Sequence, residues 1–176
     1  MRQFLIATAL ASAALFAGTI VHAQQPAAPA AAPAAAPAPA PLPDLGPPIT
    51  LDQAMKAAAA AQAEAQKNNW KMAIAVHDNT GALVYYVKMD GTQYGSVGVA
   101  QDKSLSSALY RRPTTAIDAA LKAGNTYLLQ MRHANAIPGG QPILVGGKVV
   151  GGIGVSGATG AQDDQCAKAG IAALGS

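Results

Sequence analysis

The chain has few of the residues from which metal and nucleophilic sites are built. It contains one cysteine, three histidines and one glutamate among 176 residues, and no metal-ligand pattern such as CxxC or HExxH. The single cysteine, Cys166, cannot form an intrachain disulfide even in an oxidising compartment. We therefore expect Cys166 to be a small buried hydrophobic residue in the last helix.

Charge is also scarce, since charged residues make up 12% of the chain and the formal net charge is only +3. The basic residues are scattered, apart from the pair Arg111-Arg112. A nucleic-acid-binding surface needs a basic stripe along one face, which this distribution does not supply. We therefore expect no nucleic-acid partner.

Alanine, proline and apolar residues dominate the N-terminal quarter. Residues 1–23 hold a single arginine, an apolar run and a final Val21-His22-Ala23, which is the organisation of a secretory signal peptide, with a retained membrane anchor as the alternative. Residues 24–48 are almost entirely alanine and proline, which predicts a disordered, polyproline-like linker, either a spacer or an untethered arm. We expect a periplasmic or secreted protein with no stable membrane span after signal cleavage.

Residues 49–176 have the size of one domain. Capping boxes at Thr50 and Thr159 predict the starts of the first and last helices. Turn residues between β-rich runs predict two hairpins. The predicted order is helix, hairpin, two helices, hairpin and helix, which indicates an α+β fold with an antiparallel sheet. The predicted elements are Leu51–Asn68, Trp70–His77, Ala82–Met89, Ser96–Tyr110, Pro113–Lys122, a short helix within Asn125–His133, Gln141–Val145, Lys148–Val155 and Thr159–Leu174.

The glycines of the segment "VVGGIGVSG" fit the G-x-G-x-x-G template of a dinucleotide-binding loop. A helix is predicted after these glycines, but the template also requires a second parallel strand with an acidic residue at its end, and Ser176 follows too soon for that strand. We therefore expect Gly151, Gly152 and Gly154 to allow close approach of another backbone or of a flat ligand.

Several motifs, taken in order, resemble the GlcG/HbpS haem-binding proteins, a family that also supplies the C-terminal domain of some corrinoid adenosyltransferases. The motifs are "LDQAMKAAAAAQAEA", "MAIAVHDNTGALVYYVKMDG", "ALYRRPT", "PGGQPI", "VVGGIGVSG" and "DDQCAKAG". The resemblance covers residues 49–176. It implies a profilin-like α/β/α layering with about five antiparallel strands, a homo-oligomer from dimer to octamer, and haem bound at subunit contacts.

A haem site needs an apolar slot, an axial ligand and cations for the propionates. The resemblance implies that Lys103 and Thr114 line the family's pocket. The mature chain offers two imidazoles, His77 and His133, each with a structural role as the alternative. Arg111 and Arg112 are candidates for the propionates, because a guanidinium pairs with a carboxylate through two hydrogen bonds. Arg132 is a further candidate for the propionates, and the alternative for all three arginines is that they are solvated or paired within the oligomer. Met72, Met89 and Met131 are weaker candidates for the axial ligand.

The sequence thus predicts an exported, oligomeric binding protein for haem or a related planar cofactor, acting in storage, sensing or delivery. The alternative is a non-catalytic accessory oligomer that binds a small organic acid or no ligand. A nucleophile elbow is absent, and Glu64, the only glutamate, lies on a predicted exposed helix face. The sequence leaves catalysis undecided and favours a binding protein over an enzyme.

Overall fold

Helices and hairpins alternate along residues 41–175, the part of the chain that the computed structural model describes. The predicted signal peptide and residues 24–40 of the predicted linker lie outside the described residues. The order confirms the predicted α+β fold. The elements are α1 (Leu51–Lys67), β1 (Ala73–Asp78), β2 (Leu83–Lys88), α2 (Gly95–Tyr110), α3 (Thr114–Lys122), a 3₁₀ helix (Thr126–Gln130), β3 (Gly140–Val145), β4 (Lys148–Ser156) and α4 (Gly160–Ala172).

The helix starts follow the capping chemistry of the sequence. Thr50 with Gln53, and Thr159 with Gln162, each form a complete capping box in which side chain and backbone bond reciprocally. The helix expected within Asn125–His133 is only a five-residue 3₁₀ helix. No helix among residues 41–175 is long and apolar enough to cross a membrane.

The sheet of the described residues has four strands in the order β2-β1-β4-β3, all antiparallel. This corrects the expectation of about five strands. In place of a fifth strand, the residues before α1 form a single parallel bridge, between Leu45 and Val149. Since β1 ends at Asp78 opposite Gly151, the first residues of β4 extend beyond it, and their backbone groups need another partner.

Residues from the end of the predicted linker supply that partner. Val149 donates its N–H to Asp44 O at 2.8 Å, and Gly46 N–H donates to Val149 O at 2.9 Å. The amide of Asn79 donates to Gly46 O at 2.7 Å, and Arg111 Nη1 donates to Pro43 O at 2.9 Å. Residues 43–46 of the predicted linker thus pair with the folded domain.

The sheet lies between two helical layers. On one face the buried alanines of α1 pack with Ile74, Val76 and Ile153 of the sheet and with Cys166 of α4. On the other face Ala73 and Ala75 of β1 pack against Ala100 of α2. Cys166 is buried, as expected, and burial raises the pKa of its thiol to about 12.

Glycines let α2 lie directly on β4. A Cβ atom placed on Gly152 would lie 2.5 Å from both Ser104 O and Ser107 Oγ, and one on Gly154 would collide with the backbone of Ala100 and Ser104. A Cβ atom on Gly151 would collide with the backbone oxygen of His77 on the paired strand β1. The expected close approach is thus confirmed at all three glycines, and at Gly152 and Gly154 the approaching backbone is α2. Since β4 pairs antiparallel on both sides, its glycines do not form a dinucleotide-binding βαβ loop.

Candidate functional site

Lys103 lies fully buried on α2, where its ammonium is held by internal partners. It donates to Val155 O at 2.8 Å and to Asp163 Oδ2 at 2.7 Å. Burial lowers the pKa of Lys103 and raises the pKa of Asp163, whereas their mutual hydrogen bond favours the charged forms. The structure therefore places Lys103 in an ion pair that ties α2 to β4 and α4, away from any open cleft.

Thr114 begins α3 and is also fully buried. Its hydroxyl accepts the N–H of Gly140 at 3.0 Å. β3 is an outer strand, and the neighbouring Gly139 O already accepts from Val155 N, so Gly140 presents its N–H away from β4. The Thr114 hydroxyl thus completes the sheet edge at this point.

His77 faces α2 from β1 and is only 6% exposed. Its Nδ1 lies 2.6 Å from Ser104 Oγ, which itself donates to Gln101 O at 2.9 Å; we therefore assign the ring proton to Nδ1, as donor to the serine oxygen. Burial lowers the pKa of His77, opposed by the charges of Asp78 and Asp102. Burial thus favours the neutral imidazole, which joins β1 to α2 through Ser104.

The three remaining candidates lie at the C-terminal end of α2. Arg111 caps the helix in the left-handed conformation, at φ 52°, and its side chain binds Pro43 O. Arg112 is exposed, and its Nε donates to Tyr110 O at 3.2 Å. Arg112 borders a mainly apolar cleft of about 230 Å³. The other lining residues are Tyr110, Ile117, Tyr127, Leu128, Met131 and Ala134.

His133 lines a neighbouring cleft of about 250 Å³ together with Asp102, Leu105 and Asn135. Ala134 lines both clefts, so Arg112 and His133 border adjoining spaces. The imidazole of His133 is exposed, and its backbone has a φ of 61°. Within residues 41–175 there is no cluster of three or more metal-ligating His, Cys, Asp or Glu side chains.

The six sequence candidates thus differ in their surroundings. His77, Lys103 and Thr114 are buried and form internal hydrogen bonds. Arg111 is half-buried and bound to Pro43 O, whereas Arg112 and His133 are exposed beside the two clefts near the C-terminal end of α2. This end combines an apolar cleft, a guanidinium and an imidazole, which suits a flat apolar ligand that carries a carboxylate.

Sequence reasoning missed the apolar wall of the cleft and the partner of Lys103. Tyr127, Leu128 and Met131 contribute to this wall. Their spacing in the sequence indicates a short helical turn with one apolar side. In the sequence, Asp163 stands at the start of the predicted last helix, where an acidic residue suits the helix N-terminus, and nothing nearby indicates its buried partner. A lysine inside a run of small helical residues signals burial, and a buried ammonium needs a carboxylate.

Known proteins share both this sequence and this fold. Residues 49–172 match the family model described as "Haem degrading protein HbpS-like". Protein GlcG of Escherichia coli is 41% identical over 110 residues, which cover 61% of this chain and 82% of GlcG. A double mutant of HbpS from Streptomyces reticuli has a crystal structure that is 33% identical, with a TM-score of 0.70, covering 80% of this chain and all of that one.

A crystal structure of a PduOC–heme complex is similar in fold alone, at 20% identity and a TM-score of 0.67, covering 73% of this chain and 96% of that one. The family match extends over nearly the whole α+β domain and agrees with the identities to GlcG and HbpS. The chain therefore belongs to the HbpS-like family, which confirms the resemblance seen in its sequence motifs.

Proposed function

We propose that this protein is an exported, oligomeric binding protein for haem or a related planar cofactor, which it holds at the C-terminal end of α2. One observation carries the proposal: an apolar cleft bordered by Arg112 adjoins a cleft that presents the exposed imidazole of His133. The family description and the haem complex of PduOC support haem as the ligand.

Each part of this end of α2 suits one part of such a ligand. The side chains of Ile117, Leu128 and Met131 offer an apolar wall for a flat ring. The bond from Arg112 Nε to Tyr110 O orients the guanidinium and leaves its two terminal nitrogens for a carboxylate. Haem would supply an iron that accepts an axial nitrogen.

Of the two imidazoles in the mature chain, His133 is the better axial ligand. His77 is buried, and its Nδ1 is engaged with Ser104. His133 is exposed and lines a cleft. We therefore assign His133 to the iron and leave His77 a structural role.

The size and surface of the clefts support the proposed oligomer. Their volumes, about 230 and 250 Å³, lie below the range of roughly 300–1,000 Å³ usual for small-molecule pockets. Tyr127 and Leu129 beside them are 63% and 73% exposed, which leaves apolar surface for a second copy to cover. Export rests on the signal-like organisation of residues 1–23.

A haemin titration of the mature protein tests the proposal. We expect a saturable Soret band at micromolar haemin, with a low-spin signature that is lost in His133→Asn and kept in His77→Asn. Asparagine is chosen because it tolerates the left-handed backbone of His133. Arg112→Gln should weaken binding, whereas Lys56→Gln, at an exposed lysine of α1 on the other face of the sheet, serves as its control.

A wild-type protein without a saturable haemin spectrum would overturn the haem assignment and favour the accessory oligomer. Because the family description names haem degradation, the Soret band is also followed over time with a reductant. A stable band supports binding alone, and a protein-dependent decay would add a degrading activity.

A further inference from the structure

A short segment, residues 131–135, crosses the side of α2 and carries His133 at its centre. We call this segment the strap. The Tyr110 hydroxyl donates to the backbone oxygen of Arg132 on one side of His133. On the other side the backbone N–H of Asn135 donates to Ser106 Oγ at 2.9 Å. The strap is therefore fastened to α2 immediately before and shortly after the histidine.

The two fastening residues stand on a rigid support. Ser106 and Tyr110 are four positions apart on α2, so they lie on one side of the helix, a turn apart. Ser106 is fully buried. α2 itself is set against β4 by the close contacts at Gly152 and Gly154. The positions of both hydroxyl groups are consequently fixed by the core of the domain.

His133 has a backbone conformation that needs such support. Its φ of 61° lies in the left-handed region, which is unfavourable for a residue with a Cβ atom. A residue in that region persists where surrounding contacts determine its conformation. Asn135 adds to these contacts, because its Oδ1 accepts the N–H of Ile137 at 2.8 Å.

We propose that Ser106 and Tyr110 are positioning residues, which hold the strap so that the His133 imidazole meets an iron-bearing planar ligand in one orientation. This inference rests on the proposed function, since it concerns the same site. Neither hydroxyl needs to touch the ligand. Each acts through the backbone on one side of His133.

The test uses the mature protein with two variants and a matched control for each. Ser106→Ala removes the acceptor for Asn135 N–H, and Tyr110→Phe removes the donor to Arg132 O while keeping the aromatic wall of the cleft. Ser107→Ala is the control for the first variant, because Ser107 is equally buried on α2 and its hydroxyl donates to Ser104 O within the helix. Tyr94→Phe, at a tyrosine that is 89% exposed, is the control for the second.

Two readouts are recorded: the haemin spectrum with its affinity, and hydrogen exchange of the Asn135 amide without haemin. We expect Ser106→Ala and Tyr110→Phe each to weaken haemin binding about threefold to tenfold, the typical effect of one hydrogen bond, and to shift the spectrum from low spin towards high spin. The Asn135 amide should exchange faster in Ser106→Ala. Both controls should match the wild type.

Unchanged spectra and affinities in the two variants, while His133→Asn loses the low-spin signature, would overturn the positioning role and leave the proposed function intact. Unchanged exchange of the Asn135 amide in Ser106→Ala would show that the strap is not held by Ser106, and would also overturn it. A wild-type protein that binds no haemin would overturn the proposed function and the positioning role together, so the two failures are distinguishable.

Discussion

The side of α2 that faces β4 and the C-terminal end of α2 differ in how their polar groups are used. On the side that faces β4, Lys103, Ser104 and Ser107 form hydrogen bonds within the protein, and the glycines of β4 allow the backbones of α2 and β4 to lie close together. At the end of the helix, Arg112 stands beside an apolar cleft, and His133 stands beside an adjoining cleft that Asp102 and Asn135 also line. The difference separates residues that hold the fold from residues available to a ligand, although both groups looked alike as sequence candidates.

The largest effect on stability is expected where a buried charge loses its partner. Lys103→Met leaves the Asp163 carboxylate buried without its ammonium, which typically costs about 3–5 kcal/mol. Urea unfolding measures the loss. Adding Asp163→Asn to Lys103→Met should recover part of it, because the unpaired charge is gone. A single variant as stable as the wild type would contradict the internal role of Lys103.

A smaller but substantial loss is expected at the contact between α2 and β4. Gly152→Val would force a side chain against Ser104 O and Ser107 Oγ, and overpacking of this kind costs about 1–3 kcal/mol or more. Gly98→Ala is the control, since a Cβ atom there meets nothing within 4 Å, and alanine should stabilise the helix by up to about 1 kcal/mol. Equal stability of Gly152→Val and the wild type would refute the close packing.

Shortening the N-terminus should locate the start of the folded domain. A protein that begins at Pro41 keeps the pairing of Asp44 and Gly46 with Val149 and should be as stable as the mature protein. One that begins at Pro48 loses those hydrogen bonds, at a cost of about 1–2 kcal/mol. Thermal unfolding of the two proteins decides the matter, and identical melting temperatures would mean that this pairing contributes nothing.

The smallest predicted effect is a pH dependence that originates at His77. Burial lowers its folded-state pKa below the unfolded value of about 6.5, so the unfolded chain binds the proton more readily. The stabilising contribution is complete above that unfolded pKa and is lost as the pH falls through the folded one. Unfolding free energies measured between pH 7.5 and 5 should decline less steeply in His77→Asn than in the wild type. Parallel curves would exclude His77 as the source.

Local sequence signals predicted most of the fold. The capping boxes at Thr50 and Thr159 fix two helix starts, and Gly146-Gly147 connects β3 to β4 through two positive φ angles. The pairing of Leu45 with Val149 could not be predicted, because it depends on where β1 stops relative to β4. Leu45 also lies within residues 24–48, whose composition indicates disorder.

The candidate site was predictable only in part, for a similar reason. Periodicity indicates which side of an element is apolar, but not which distant side chain meets a polar group inside the fold. Lys103 and Asp163 are separated by 60 residues, and His77 and Ser104 by 27. Without those contacts, internal residues such as Lys103 and His77 could not be distinguished from residues open to a ligand.

The hydrogen bond from Gly140 N–H to the Thr114 hydroxyl limits the addition of a further strand at the β3 edge of the sheet. Pro142, two residues along β3, has no N–H to offer a neighbouring strand, so much of this outer edge is closed to strand addition. The opposite edge, β2, carries no such block among its residues Leu83–Lys88. Strand addition is thus favoured on one side only, and two copies joined through β2 would form a finite, two-fold pair rather than an open filament.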